Sequence, residues 1–477
     1  MTPPRHTRAQ PLTRDAFAAR EGRTDATAPI RIVHIGLGAF HRAHQAWYTA
    51  QADPEGEWGI AAFTGRNATA ARELAQQGGL YTLVERSAEG DNASVVPSIV
   101  EAVDGAELGR FVDLLAASST AIVTTTVTEP GYRLTATAQP NLDDAAVRAD
   151  IDWLSGHLGD EPARSFDGGP TTTLGRLVLG LHARRLAGGE PLAIVPCDNM
   201  PDNGAFVATG LTAIARLANP QTADWISGNV SFVSTSVDRI TPKTTTADIE
   251  EAAAISGWLD LSPVITEPFR DWVLSGDFPA GRPAWERAGA RFVDDIEPFE
   301  RRKLWLLNGA HSLLAYAGRL RGHETVATAI ADETCLGWVT SFWDEAASHL
   351  PDGLDLDAYR SSLLERFSNA RIEHKLAQIG MEGVTKLRVR FVAVLLAERA
   401  AGRNGAAGIR AIGSWLSLVT SGAELPDAQA PAIAAALASG TGRDAALLRL
   451  IDDRLADDAA ILSDIRAVAA ETVQTLV

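Results

Sequence analysis

Six strand-forming residues, Ile30-Arg-Ile-Val-His-Ile35, run straight into Gly36-Leu-Gly38, and helix-forming residues follow from about Ala39. A strand that breaks on two glycines and turns at once into a helix opens a strand–helix–strand crossover. The rest of the first half keeps that rhythm. Strand-like segments at 58–63, 121–127, 192–196 and 230–237 alternate with helical ones at 68–77, 107–119, 173–187 and 206–217. This alternation predicts an α/β fold, a Rossmann-type parallel sheet with helices on both faces.

Beyond about residue 292 the period changes. Apolar residues recur at helical spacing through 302–320, 327–350, 356–378, 387–401, 409–419 and the alanine-rich C-terminal region, and strands are hard to find. A chain of 477 residues exceeds what one compact core holds. The expected division is a dinucleotide-binding domain over 30–290 and a mainly α-helical domain over 291–477. The stretch 283–299, rich in proline, glycine and charge, marks the boundary. Residues 1–29 carry arginines without an apolar core, so they read as a loose arm and not a secretory leader.

The composition, 46% hydrophobic and 22% charged, is that of an ordinary globular protein. A net charge of −17 argues against nucleic-acid and anionic-membrane partners. No apolar run reaches the roughly 18–20 residues of a membrane span. Cys197 and Cys335, far apart in sequence, argue against a disulfide framework or a cysteine-based zinc site. The expectation is a cytoplasmic protein without metal, a monomer or small homo-oligomer that acts on a small molecule.

The second domain carries an anomaly of its own, Lys303-Leu-Trp-Leu-Leu-Asn308-Gly-Ala-His311, with Glu300 one turn upstream. At about 100° per residue, with Lys303 at zero, Glu300 falls near 60°, His311 near 80° and Asn308 near 140°. All four share one side of a helix that is apolar all round and therefore buried. Buried polar groups are costly unless something satisfies or uses them. A structural polar cluster is one reading. The other is catalysis. Desolvation lowers the pKa of a lysine and lets it exchange protons near neutrality. Asn308 and His311 can donate to an oxygen that gains negative charge. Glu300 would relay protons to Lys303, or simply pair with it.

The glycine turn points to a cofactor. Around Ile35, Gly36, Gly38, Ala39, Phe40 and Arg42, backbone N–H groups can reach a pyrophosphate at the helix N-terminus. His41 stands where the usual third glycine would be. At the end of the second strand, where an acidic residue would hold the ribose of NAD, the chain has Thr64-Gly65-Arg66-Asn67. Arg66 would meet the 2′-phosphate of NADP, or be a solvated side chain. NAD is expected, and NADP stays open.

Rival machineries are missing. None of the five tyrosines has a lysine four residues later, and neither His-Glu-x-x-His nor Gly-x-Ser-x-Gly occurs. What remains is metal-independent hydride transfer between an alcohol and a carbonyl, with lysine moving the proton. A set of motifs now aligns: Ile35-Gly-Leu-Gly-Ala-Phe-His-Arg-Ala-His44, Val127-Thr-Glu-Pro-Gly-Tyr132, Pro196-Cys-Asp-Asn199, Val237-Asp-Arg-Ile-Thr-Pro242, Glu267-Pro-Phe, Gly281-Arg-Pro-Ala-Trp285 and Lys303-x4-Asn308-x2-His311. With them the chain resembles the polyol-specific long-chain dehydrogenases, the mannitol dehydrogenase family, from about Ile30 onward. The resemblance implies a Rossmann-type domain, a helical C-terminal domain, no metal and an active site between the domains. It implies Lys303 as general acid/base, with Asn308 and His311 positioning and polarising the reacting oxygen. Asn199 and Asp238 match substrate contacts, although turn and cap chemistry is their ordinary use. Thr128 and Glu129, after a buried strand, would border the nicotinamide.

Within the family, residues 366–383, with His374 and Gln378-Ile, are closer to the D-mannonate oxidoreductases (fructuronate reductases) than to the mannitol 2-dehydrogenases, which tend to have arginine at the place of Gln378. A sugar acid needs a cation for its carboxylate, and Lys386, Arg388 or Arg390 would supply it unless they are solvated charges. Another polyol such as mannitol or arabinitol is the alternative substrate. A non-catalytic nucleotide sensor is the alternative of another class.

Overall fold

The computed structural model describes residues 9–22, 27–65, 67–163 and 165–474. It divides into two compact units, Met1–Glu297 and Pro298–Val477.

The first unit is built on six strands: β1 Ile30–Ile35, β2 Gly59–Phe63, β3 Ile99–Val103, β4 Ile122–Thr125, β5 Leu192–Pro196 and β6 Val230–Phe232. Every pairing is parallel, and the order is β3-β2-β1-β4-β5-β6. The central strands are buried end to end, as near-continuous apolar runs in a parallel sheet should be. Alternate residues feed two cores. Ile32, Ile60, Ala62, Ile122 and Val195 pack on one face. Val33, Ile35, Phe63, Val123 and Ile194 pack on the other. The chain moves outward from β1 through β2 to β3, then returns to the other side of β1 as β4. The order therefore reverses between β1 and β4, and an open α/β sheet binds ligands at the carboxyl ends of such a pair.

Three features depart from the expectations. The segment 230–237 is two strands, because the chain leaves the main sheet after Phe232 and Ser234–Asp238 pairs antiparallel with Asp271–Ser275. A smaller sheet, Val264–Thr266 with Tyr81–Arg86 and Asp91–Val96, has no counterpart in the sequence reading. The loose arm is corrected over its described part. Gln10–Pro11 pairs with Trp258–Leu259, and Arg14–Glu21 is a helix capped by Thr13. Leu12 is buried with Leu80 and Trp258, and the Arg14 guanidinium donates to the carbonyls of Gly78 (2.6 Å) and Ile99 (2.7 Å). One leucine and one arginine fix the segment, too few residues to make a periodic signal.

The second unit is helical, and its described residues contain no strand. Among the described residues of the chain, no helix is long and apolar enough to cross a membrane.

Candidate active site

In the first unit the reversal point is a crowded polar edge. Gly36 has φ +111°, and a Cβ there would lie 2.5 Å from the Thr126 carbonyl oxygen and 2.8 Å from its hydroxyl. Only glycine fits this φ and this space against Thr126. The Thr126 hydroxyl donates to the Gly36 carbonyl (2.9 Å). The N–H groups of Gly36 and Leu37 both donate to the Phe63 carbonyl at 2.9 Å. Gly38 caps the helix that starts at Ala39, and Ile35 is buried beneath. Thr128 and Glu129 follow β4 and are exposed.

His41, in the third glycine's place, is fully buried and stacked on His34, with ring centroids 3.3 Å apart. Burial holds His34 down to about 3, so both rings are packing elements and carry no charge near neutrality. The helix continues from His41 as a π turn at Arg42–Ala46. The Arg42 side chain turns away to the carbonyl and hydroxyl of Ser262, with its Nε on the Gly38 carbonyl at 3.2 Å. It braces the turn through protein groups. Arg66 lies outside the described residues.

The carboxyl ends of β4 and β5 are tied by residues that sequence reasoning passed over. The Tyr132 hydroxyl donates to Asp198 Oδ2 (2.6 Å) and lies 2.8 Å from the Thr125 hydroxyl. The Asn203 amide donates to Asp198 Oδ1 (3.1 Å) and to the Thr235 carbonyl (3.1 Å), and it accepts from the Thr235 N–H (2.8 Å). Burial pushes the Asp198 carboxyl up. This buried network fixes both the turn that carries exposed Asn199 and the strand that ends in half-buried Asp238. An acidic residue two positions after an all-apolar strand was the available signal.

In the second unit, Lys303–Gly309 is a π-helical stretch between the α-helical segments Glu297–Arg302 and Ala310–Leu313. Such i→i+5 turns are rare and concentrate at functional sites. The constant angle of an α-helix therefore does not hold here. Widening the turn swings Asn308 back toward the side of Lys303, its fifth neighbour. Trp343 Nε1 donates to the Leu306 carbonyl (2.7 Å), and Arg390 Nη1 donates to the Asn308 carbonyl (3.0 Å), so buried side chains pin the wide turn at two points. Lys303 and His311 are buried, at 8% exposure each, and Asn308 and Glu300 are half-buried.

The His311 ring packs against Phe367 (4.7 Å between centroids) and edge-on to His374 (4.8 Å). Burial, followed by the neighbouring His374 and the positive charges of Arg366, Arg390 and Lys386, drives its pKa well below the usual range. His311 is thus neutral, one nitrogen a donor and the other an acceptor. The strand-like residues around His374 are held by backbone bonds, Val326 N–H to the His374 carbonyl (3.0 Å) and Leu376 N–H to the Glu324 carbonyl (2.9 Å). Half-buried Lys386 donates to the Ile379 carbonyl (2.9 Å), and burial with nearby Arg390 brings its pKa to about 8. Gln378 is exposed on the short helix Leu376–Ile379. Arg388 is exposed and directed to the carbonyls of Leu450 and Ile451, both at 2.6 Å, which removes it from the candidates for a carboxylate partner. His323, Asp332 and Cys335 also cluster within 4.8 Å. Both Asp332 oxygens are already engaged by Arg321, His323 and the Thr334 N–H, which caps a helix.

The comparisons with known proteins agree with this division. Residues 30–287 match the mannitol dehydrogenase Rossmann domain and residues 295–473 the mannitol dehydrogenase C-terminal domain. D-mannonate oxidoreductase of Escherichia coli K12 is 37% identical over 375 residues, 76% of this chain and 74% of the relative. A mannitol 2-dehydrogenase of Aspergillus fumigatus is 38% identical over 371 residues, 75% of this chain and 71% of the relative. Among solved structures, the ternary complex of Pseudomonas fluorescens mannitol 2-dehydrogenase with NAD and D-mannitol is similar with a TM-score of 0.76 and 29% identity, covering 94% of both chains. A substrate-free D-sorbitol dehydrogenase reaches a TM-score of 0.84 at 27% identity, covering 98% of this chain and 96% of that one. The protein is a member of the mannitol dehydrogenase family, oxidoreductases that act on CH–OH groups.

Proposed function

We propose that this protein interconverts D-fructuronate and D-mannonate with NAD(H), with Lys303 as the general acid/base. The dinucleotide is held by Ile35, Gly36, Gly38, Ala39 and Phe40, with Thr128 and Glu129 at the nicotinamide. The strand–Gly36-Leu-Gly38–helix turn at the reversal point of the parallel sheet supports this placement. Bound NADH supplies hydride to the keto carbon, and NAD+ accepts it in the reverse direction.

The protein's own groups manage the oxygen. As the carbonyl becomes an alkoxide, the Asn308 amide and the N–H of neutral His311 donate to it, and the Lys303 ammonium gives up a proton to make the alcohol. In the oxidative direction neutral Lys303 takes that proton, and Glu300 carries protons to and from it. Asn199 and Asp238 bind substrate hydroxyls, with His374 and Gln378 contributing beyond the reacting carbon.

The observation that carries the sugar-acid reading is the charge around His311. After burial, Arg366, Arg390 and Lys386 are cations that lower its pKa. A buried positive field of this kind suits an anionic substrate, with Lys386 meeting the carboxylate. The second reading is a mannitol 2-dehydrogenase. Relatives of that name match as well as the mannonate enzyme does, and a solved neighbour holds D-mannitol.

Initial rates with NADH and NADPH against fructuronate, tagaturonate, fructose and xylulose separate these readings. The highest kcat/KM is expected for NADH with fructuronate. A clear preference for fructose establishes the mannitol reading instead, and absence of turnover across the panel returns the nucleotide sensor.

A further inference from the structure

The Arg390 side chain is a costly group in the second unit that the proposed mechanism does not use. It is half-buried overall, yet its Nε is fully buried and has no hydrogen-bond partner. Among the described residues it forms no ion pair, and the one group that offsets its burial is Tyr316. Burying a guanidinium with an unmet N–H and no counter-ion works against stability. Methionine would fill similar space without that cost.

Its one satisfied corner is specific. Nη1 donates to the Asn308 carbonyl at 3.0 Å and to the Ser312 hydroxyl at 2.7 Å. These acceptors are four residues apart and bracket His311 in sequence. Arg390 itself sits in a π turn, Arg388–Val392. The guanidinium thus clamps the end of the Lys303–Gly309 turn to the segment that carries His311. Its reach to a backbone carbonyl means that it fixes where the Asn308 main chain lies, whatever the side chain binds.

We infer that Arg390 is a positioning residue. By clamping the Asn308 carbonyl to Ser312, it holds the π turn open so that Lys303, Asn308 and His311 address one oxygen atom. This inference rests on the proposed roles of those three residues. It also separates Arg390 from Lys386, leaving the carboxylate to the lysine.

The test uses the full-length enzyme with NADH and the best ketone substrate of the panel above. Arg390→Met is expected to bind NADH with unchanged Kd and to lose about 100-fold in kcat, the scale of a misplaced catalytic group, with little change in KM. Ser312→Ala removes only the second acceptor and is expected to lose about three- to tenfold in kcat, in the same pattern. In Arg390→Ala, millimolar guanidinium is expected to restore part of kcat, which no merely stabilising role predicts. If Arg390→Met does not fold, Ser312→Ala decides. Unchanged kcat in the folded variants, or a loss confined to KM for sugar acids, overturns the inference. Wild-type enzyme without turnover on any substrate sinks the underlying reading instead.

Discussion

Lys303 and Asn308 begin and nearly end one π-helical stretch, five residues apart in a segment that turns by i→i+5. In an α-helix the same pair would diverge by about 140°. The wide turn brings the candidate proton donor and the candidate oxyanion donor to one side of a buried helix. Side chains from two other helical segments, Trp343 and Arg390, bind carbonyls of that turn, so its width is set by tertiary structure.

The indole of Trp343 is one of those supports. Trp343→Phe leaves the Leu306 carbonyl buried without its 2.7 Å donor while keeping most of the ring packing. The expected loss is about 1–3 kcal/mol of stability, read as a lower urea midpoint at unchanged slope. A midpoint equal to wild type would show that water or relaxation replaces the bond.

The glycine turn tests the cofactor site. Gly36→Ala puts a methyl against the Thr126 carbonyl at a φ of +111°. The strain is about 1–3 kcal/mol, and the turn must shift to relieve it. NADH affinity, followed by quenching of protein fluorescence, is expected to fall by about five- to 150-fold, since 1.4 kcal/mol is one decade. Wild-type affinity would place the dinucleotide elsewhere.

Lys386 makes the substrate preference pH-dependent. Its pKa is lowered to about 8 by burial and Arg390, against the opposing pull of Glu382 and Asp427. A lysine with a lowered pKa is charged below that value and neutral above it. KM for fructuronate should therefore rise as pH passes through about 8, while KM for fructose stays flat. Lys386→Met should remove the difference. Parallel curves for the acid and the neutral ketose would separate Lys386 from the carboxylate.

What the sequence made legible follows from how each feature is encoded. Most of the parallel sheet was readable because central strands such as Gly59–Phe63 and Leu192–Pro196 are buried on both faces and apolar throughout, whereas the edge strand Ile99–Val103, partly buried and interrupted by Glu101, was not read. The strands at Tyr81–Arg86 and Asp91–Val96 were not: the first mixes Thr82, Glu85 and Arg86 with buried apolar residues, and the second is mostly half-buried and polar. The grouping of Lys303, Asn308 and His311 was visible from residue type and spacing. The π turn was not, since it depends on Trp343 and Arg390, 37 and 82 residues away in the chain from the carbonyls they hold. The Tyr132–Asp198–Asn203 network likewise needs Tyr132, 66 residues from Asp198, and that link is invisible to any local window. Arg42 looked like a cofactor residue by its place after the glycines, and Ser262, distant in sequence, holds its side chain.

The central claim is that Lys303 moves the proton, and replacing it tests that claim most directly. With NADH and fructuronate, Lys303→Ala is predicted to lower kcat by at least about 100-fold, within the range of general acid/base catalysis, while the Kd for NADH stays at the wild-type value. A variant that folds, binds NADH and keeps most of its kcat would contradict the assignment of the proton transfer to Lys303.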